Sequence, residues 1–397
     1  MRTIHAEFIF DGKSLHRQAF LTISSQGEIV SLSKTAPAQT EVEYFKGILL
    51  PGMINAHCHL ELSHLKGIIP KQTGLVDFIL NINSKRNQFD ANTIQQHIEQ
   101  AEVEMIQHGI VAVGDICNTT DTFNIKKQNN LLYHNFIETF GLLDHNASQR
   151  FEEKVNILQQ FQTIQKSSIV AHAPYSVSDK LFQLIDEFEP HQLSTIHNQE
   201  CDAENELSLY GKGDFIRLFQ IILQSESINY SPTGKSSLQT FLPKFKNLQH
   251  LICVHNTHTS KADVDFANST NKNIFWCLCP NANLYIENKL PDVDMLYHTT
   301  SNIVLGTDSL ASNDSLSIWH ELYSLHTHFP TIPIEAKLAW ATYNGAMALR
   351  LENQIGQFKK GMTPGIVHIE QFSLENPFDV NATINVLAKA SVKKNEF

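Results

Sequence analysis

Apolar positions along the chain fall into two patterns. Between residues 1 and 50, short apolar runs are cut by turn residues. Phe8-Ile9-Phe10 precedes Asp11-Gly12, Phe20-Leu21-Thr22-Ile23 precedes Ser25-Gln26-Gly27, and Ile29-Val30-Ser31-Leu32 follows. Asp-Gly and Gln-Gly between such runs punctuate hairpins. The C-terminal stretch is alike: Gly365-Ile366-Val367-His368-Ile369 and Thr383-Ile384-Asn385-Val386-Leu387, with turns at Lys360-Gly361 and Asn376-Pro377. Neither end could close a β core alone. Residues 1–50 plus 355–397 are therefore predicted to pair into one small composite β-sandwich domain.

The middle, residues 51–354, alternates differently. Strand-like runs lie near 48–57, 110–117, 131–140, 167–174, 193–198, 249–256, 273–279 and 302–308, with helical patterns between most of them. From Thr93 to His108, Ile94, Ile98, Ala101 and Met105 recur at three- and four-residue intervals, and Gly109 supplies a stop. Phe151, Val155 and Leu158 mark another helix. Eight strands alternating with helices over about 300 residues is the count of a (β/α)8 TIM-like barrel, so the fold class is α/β. A long stretch at 201–247, carrying the turn-rich Ser231-Pro232-Thr233-Gly234, is expected to shape a substrate pocket or lid.

A net charge of −11 without a Lys/Arg cluster argues against a nucleic-acid polymer as partner, because phosphate backbones need a basic face. Six cysteines in 397 residues do not make a disulfide framework. Several sit inside predicted strands, where Cys acts as a small buried hydrophobe. Cys277-Leu278-Cys279 is read the same way, as core and not as a thiolate metal site. The N-terminus lacks the apolar core of a signal peptide, and no apolar run reaches the roughly 20 residues of a membrane helix. A reduced cytoplasm is the expected setting.

Polar residues end several of these apolar strands, as catalytic groups do at the C-terminal face of a barrel. His57 and His59 follow Ile48 to Ala56, and residues two apart on a strand share a face. His197 ends Leu193-Ser194-Thr195-Ile196, and Glu200 comes three residues later. His255 ends Leu251-Ile252-Cys253-Val254, with His258 three residues on. Asp308 closes Ile303-Val304-Leu305-Gly306-Thr307, where an uncompensated buried carboxylate would be costly and a cation would relieve it. Each residue alone has an ordinary structural explanation. Together they form an imidazole and carboxylate set suited to a borderline cation such as zinc.

These motifs resemble the amidohydrolase superfamily. The resemblance rests on Pro51 to Glu61, His197-Asn198-Gln199-Glu200, Val254-His255-Asn256, Cys279-Pro280-Asn281-Ala282-Asn283-Leu284 and Gly306-Thr307-Asp308-Ser309. More narrowly they are similar to its cytosine deaminase/chlorohydrolase-like branch, and Ala341 to Ala346 with Gln354 to Gly361 resembles that branch's return into the β domain. The resemblance implies that His57, His59, His197 and Asp308 bind one divalent metal, Zn2+ first and Fe2+ as a fit for the same set. It implies Glu200 as proton shuttle and His255 as the group that polarises water or substrate. Binuclear members carry a carboxylated lysine where this chain has His172, so a single metal is expected and His172 is assigned to substrate. Asn283 and Arg150 are further substrate-binding candidates; Arg86 is another possible anchor, although exposed salt bridging is the ordinary role of both arginines. The strand-seven motif here reads Ala282-Asn283 in place of the family's Ser-Asn, and Met362-Thr363-Pro364-Gly365 replaces the family's Ala-Asp after the Gly-Lys turn.

The expected chemistry is hydrolytic deamination of an amino-substituted N-heterocycle, leaning to an adenine-like nucleoside. A divalent ion lowers the pKa of bound water to about 7, Asp308 takes its proton, Glu200 protonates a ring nitrogen, His255 stabilises the developing oxyanion, and ammonia leaves. A chlorohydrolase or cyclic-amide amidohydrolase would use the same metal site. A non-catalytic structural paralogue would shed ligands, and all four are present. A homodimer is expected from relatives.

Overall fold

A computed structural model describes residues 1–38, 41–223 and 230–391. Positions 39–40 and 392–397 of the expected composite β domain, and 224–229 of the 201–247 stretch, lie outside the described residues.

The two ends of the chain share one sheet. Strands β1 (Arg2–Phe10), β2 (Leu15–Ile23), β3 (Ile29–Ser33) and β4 (Val42–Pro51) join β13 (Pro364–Ile369) and β14 (Ile384–Ala390) in the order β14-β13-β4-β1-β2-β3. The Asp11-Gly12 turn is held by the Asp11 carboxylate, which accepts from the backbone N–H groups of Lys13 and Ser14, each at 2.8 Å. The alternating buried positions Ile4, Ala6, Leu21, Ile23 and Ile366 form a separate apolar cluster on this sheet. Leu387 and Ala388 of β14 pack on the same cluster, and Arg2 of β1 reaches the Leu387 carbonyl at 3.5 Å.

Eight further strands run parallel within two four-stranded sheets. One holds β5 (Met53–Cys58), β6 (Ile110–Cys117), β7 (Leu132–Thr139) and β8 (Lys166–Ala171). The other holds β9 (Leu193–Asn198), β10 (His250–His255), β11 (Asn273–Leu278) and β12 (Ile303–Leu305). Their residues are buried on both faces, which is why they read as unbroken apolar runs rather than alternating ones. Ile54, Ala112, Val170, Ile252 and Val304 share one cluster, while Met53, Val113, Ile169, Leu251 and Ile303 turn to the other, packed among helices. The two sheets meet at their C-terminal ends. The His197 N–H donates to the His172 carbonyl at 2.9 Å, and the Thr307 and Asp308 N–H groups donate to the His57 carbonyl at 3.0 and 3.1 Å.

Three sequence expectations are refined. The apolar run expected as one strand over 48–57 is two, β4 and β5, in different sheets. Both halves are buried, so apolarity alone could not separate them; the break is at Gly52, where a side chain would strike Val111 of β6. The strand expected at 302–308 ends at Leu305, because the chain turns away through a left-handed Asp308 (φ 56°). The helix read from Thr93 to His108 spans Ala91–Gln107, opened by the Asp90 carboxylate accepting from the Thr93 N–H at 3.0 Å and stopped before Gly109 (φ 76°).

Phe151, Val155 and Leu158 lie on the helix Ala147–Phe161. The described part of 201–247 folds as helices Asp202–Tyr210, Phe215–Leu223 and Ser237–Phe241. All six cysteines are buried and free, with Cys277 and Cys279 in the apolar core. Among the described residues, no helix is long and apolar enough to cross a membrane.

Candidate metal centre and active site

Strand ends bring four groups together. His57 lies near the end of β5 and His59 just beyond it; His197 is near the end of β9, and Asp308 follows β12. His59 Nε2 is 3.2 Å from His197 Nε2 and 3.4 Å from Asp308 Oδ1, and His57 Nε2 is 3.5 Å from the same Oδ1. Ligands about 2.05 Å from a tetrahedral ion stand about 3.3 Å apart, so these separations suit a zinc-sized cation. Gly306 makes the approach possible, since a Cβ there would sit 2.8 Å from the His57 Cβ.

The hydrogen-bond pattern also fits a metal. His57 is fully buried, yet neither ring nitrogen has a hydrogen-bond partner. Leaving such a group unsatisfied is costly, and a cation on Nε2 relieves part of that cost. His197 Nδ1 bonds the His172 carbonyl at 2.8 Å, which puts the proton on Nδ1 and leaves the Nε2 lone pair facing the cluster. Burial pushes the His57 imidazolium down to about 4 and the His197 one well below its usual value. Both rings are thus neutral at pH 7, as ligation requires. Burial would raise the Asp308 carboxyl, but His57, His59 and His255 around it hold it well below the usual range. The Ser312 hydroxyl donates to its other oxygen.

Glu200 sits against this cluster with the opposite character. It is 5% exposed, and its Oε1 lies 3.5 Å from His255 Nε2. Burial, then the charges of Asp308 and Glu204, push its carboxyl well above the usual range. Glu204, on the next helix, sets the turn that presents it by accepting from the Gln199 N–H at 2.9 Å and the Glu200 N–H at 3.3 Å. His255 itself adopts a left-handed backbone (φ 72°) and is fixed from behind: its Nδ1 bonds Asn283 Oδ1 at 2.9 Å, while Asn283 Nδ2 donates to the Thr257 hydroxyl at 2.7 Å. That pairing puts the His255 proton on Nδ1 and a lone pair on Nε2.

A cavity of about 340 Å³ opens above these groups. His59, His172, His197, Glu200, His255 and Asp308 line its polar end. Its apolar walls come from helix Leu75–Lys85 (Phe78, Ile79, Ile82) and helix Phe215–Leu223 (Phe219, Ile222). Arg217 and Asp77, paired at 2.8 Å, link the two helices.

The remaining sequence candidates separate. His172 lines the cavity, with its Nδ1 on the Ser176 hydroxyl at 2.6 Å. Arg150 lines it too, half-exposed and 3.8 Å from Glu153, and Arg86 is paired with buried Glu61 at 3.1 Å. Asn283, expected to bind substrate, is instead buried behind His255 and does not line the cavity, because its amide is committed to His255 and Thr257. His258 lies outside the cavity lining, 3.5 Å from Asp202.

Among the lining groups that escaped the sequence reading are Glu138, near the end of β7, and Asn118, just after β6. Both follow apolar strands, so the signal that flagged Asp308 was present in Phe136-Ile137-Glu138 and Ile116-Cys117-Asn118. Burial opposes ionisation of Glu138, but His172, His197, His59 and the Asn118 amide together hold its carboxyl down at about 2.

Comparison with known proteins agrees with this arrangement. The profile of the amidohydrolase family matches residues 48–394. An adenosine deaminase of Helicobacter pylori is 29% identical over 336 residues, covering 82% of this chain and 80% of its own. The crystal structure of H. pylori aminofutalosine deaminase in complex with methylthio-coformycin superposes with a TM-score of 0.81 at 22% identity, over 99% of this chain and 100% of that one. The atrazine chlorohydrolase of Arthrobacter aurescens, solved with zinc, gives a TM-score of 0.71 at 14% identity, over 94% and 88%. The chain belongs to the amidohydrolase family.

Proposed function

We propose that the protein is a metal-dependent hydrolytic deaminase of an amino-substituted N-heterocycle, with an adenine-like nucleoside as the leading substrate class. The observation that carries this reading is the placement of two buried carboxyl groups on one histidine cluster, Asp308 beside His57 and His59 and Glu200 beside His255, at the floor of one cavity. Deaminase names among the relatives support it. His57, His59, His197 and Asp308 would hold one divalent cation, zinc first, with iron(II) suited to the same donors; the ligand atoms of His57, His59 and His197 cluster, and those of His57 and Asp308 cluster with His255. A cation held there supplies a water of lowered pKa as nucleophile.

The chain's own groups then divide the proton work. His255 Nε2 and Asp308 Oδ1 accept hydrogen bonds from the attacking water, and Asp308 takes its proton. Glu200 gives its proton to the ring nitrogen next to the amine-bearing carbon. His255 therefore starts as an acceptor, which revises the donor role expected from the sequence; it becomes a donor only after gaining a proton. Return of the water's proton from Asp308 to the departing amine releases ammonia, and the proton left on the new hydroxyl passes to Glu200, which restores both carboxyl groups. His172 and the apolar walls orient the substrate and exclude water.

The proposal extends to architecture and setting. We infer that the eight parallel strands form one closed barrel at 51–354, since both seams carry backbone hydrogen bonds at the C-terminal ends. Residues 1–50 with 355–397 would form the β-sandwich, because β14 packs on the core that also takes β1 and β2. Buried free thiols suit a reduced cytoplasm. A homodimer is part of the proposal.

The test is ammonia release by zinc-loaded protein across purines, pyrimidines and adenine nucleosides, with wild type beside Glu200→Gln. The variant should keep its metal and lose turnover by about 1,000-fold. Near-wild-type activity in that variant sinks the assigned shuttle. Chloride release from chlorinated heterocycles without ammonia release favours the hydrolytic dechlorinase instead.

A further inference from the structure

Two residues that line the cavity and bond each other, Glu138 and Asn118, each keep a buried acceptor oxygen with no donor to serve it. Glu138 is 3% exposed, and its Oε1 has no hydrogen-bond partner. Its other oxygen accepts from Asn118 Nδ2 at 2.8 Å. That bond fixes the Asn118 amide, since the flipped form would set oxygen against carboxylate. The Asn118 Oδ1 is then a second buried acceptor, and it too has no partner.

The nearby donors bond other groups, and none stands within hydrogen-bond distance of either oxygen. His197 Nδ1 lies 3.6 Å from Glu138 Oε1 but already bonds the His172 carbonyl at 2.8 Å. Arg86 pairs with Glu61 at 3.1 Å, and Lys154 donates to the Asn118 backbone carbonyl at 3.1 Å. Unpaired buried acceptors are rare and costly, and a charged one is costlier. Two of them at the wall of a substrate cavity imply a ligand that brings the missing donors.

Building on the deaminase reading, we propose that Glu138 and Asn118 form an anchor that selects substrates presenting two adjacent hydrogen-bond donors. Vicinal sugar hydroxyls and an amino-bearing ring edge share this chemistry. The anchor stands beside His197 and His172, so it aligns the substrate relative to the reacting centre instead of entering the chemistry. It also disfavours substrates that present a carboxylate or phosphate at this point, because like charge would face a buried carboxylate.

The experiment measures binding with ligands that lack the leaving amine, so turnover does not intervene. Kd is determined by calorimetry on zinc-loaded protein for purine riboside, its 2′,3′-dideoxy analogue and 2-aminopurine riboside. Wild type should discriminate by about 10-fold or more in one comparison: against loss of the sugar hydroxyls, or in favour of the added ring amine. The comparison that responds identifies the source of the donors. In Glu138→Gln that difference should shrink to within about 2-fold. Asn118→Ala, a change at a half-buried loop position, should reduce it too, which keeps the test usable if the first variant folds poorly.

Equal binding of all three ligands by wild type, or no binding of any, overturns the anchor. So does discrimination that survives in Glu138→Gln. Two metal equivalents per chain, falling to one in that variant, would assign the carboxylate to an ion and overturn it as well. Adenosine turnover is followed separately: discrimination without ammonia release refutes only the deaminase reading, and ammonia release without discrimination refutes only the anchor.

Discussion

Asp308 and Glu200 are two carboxyl groups of equal burial, each 5% exposed, in one cavity, and their surroundings push them in opposite directions. Around Asp308 stand three imidazoles, and its carboxylate is held ionised. Around Glu200 the charged neighbours are Asp308, Glu204 and Glu287, and with burial they push its carboxyl well above the usual range. Burial pushes both upward; the neighbours decide which group resists. The difference teaches that one fold can separate an acid from a base by arranging neighbours around the same functional group, a carboxyl.

Breaking the ionised half should have the largest effect. Asp308→Asn removes both the charge that offsets a cation and an acceptor for the nucleophile's proton. Metal content should fall from one equivalent towards none, and kcat/KM by about 10,000-fold or more. A variant that retains full metal and activity would refute the role given to Asp308. Glu200→Gln breaks the other half, and a smaller loss with full metal retention would set the two carboxyls apart.

A subtler change sharpens the comparison through the histidine between them. Asn283→Ala removes the acceptor that keeps the His255 proton on Nδ1, without removing a cavity-lining group. We expect kcat to fall about 10- to 100-fold with KM little changed. A rise in KM alone would return Asn283 to substrate binding, the role first read from the sequence.

The smallest effect concerns a third buried carboxyl. Glu321 accepts from the Asn281 backbone and from the side chains of Asn281 and Asn313, tying the loops after β11 and β12. Burial pushes its carboxyl up from 4.5 to about 8 despite these donors. The folded state thus keeps a proton that the unfolded chain has lost. Its contribution is full below the unfolded value and is lost as pH rises through the folded one. Between about pH 6 and pH 8.5 the urea midpoint of wild type should fall more than that of Glu321→Gln. Parallel profiles would show that Glu321 does not titrate in this window.

Much of the site was legible because parallel strands turn a sequence position into a spatial one. A polar residue just after a buried strand emerges at the same end as its counterparts, so His57, His59, His197, His255 and Asp308 could be grouped across 250 positions. The same rule, applied to β6 and β7, would have reached Asn118 and Glu138. It failed for Asn283, which lies on the short helix Pro280–Ile286 after its strand, where rotation about the helix axis chooses between cavity and core. It failed again at 48–57, where two strands buried in different sheets merge into one apolar run.

The sequence by itself determined which elements form and which polar groups stand at their ends, because burial period and turn chemistry are local properties. Tertiary structure alone decided the opposite shifts of Glu200 and Asp308, the tautomer of His255 and the unpaired acceptors of Glu138 and Asn118. Those depend on charges and donors within a few ångströms that come from distant parts of the chain, and no local pattern encodes such distances.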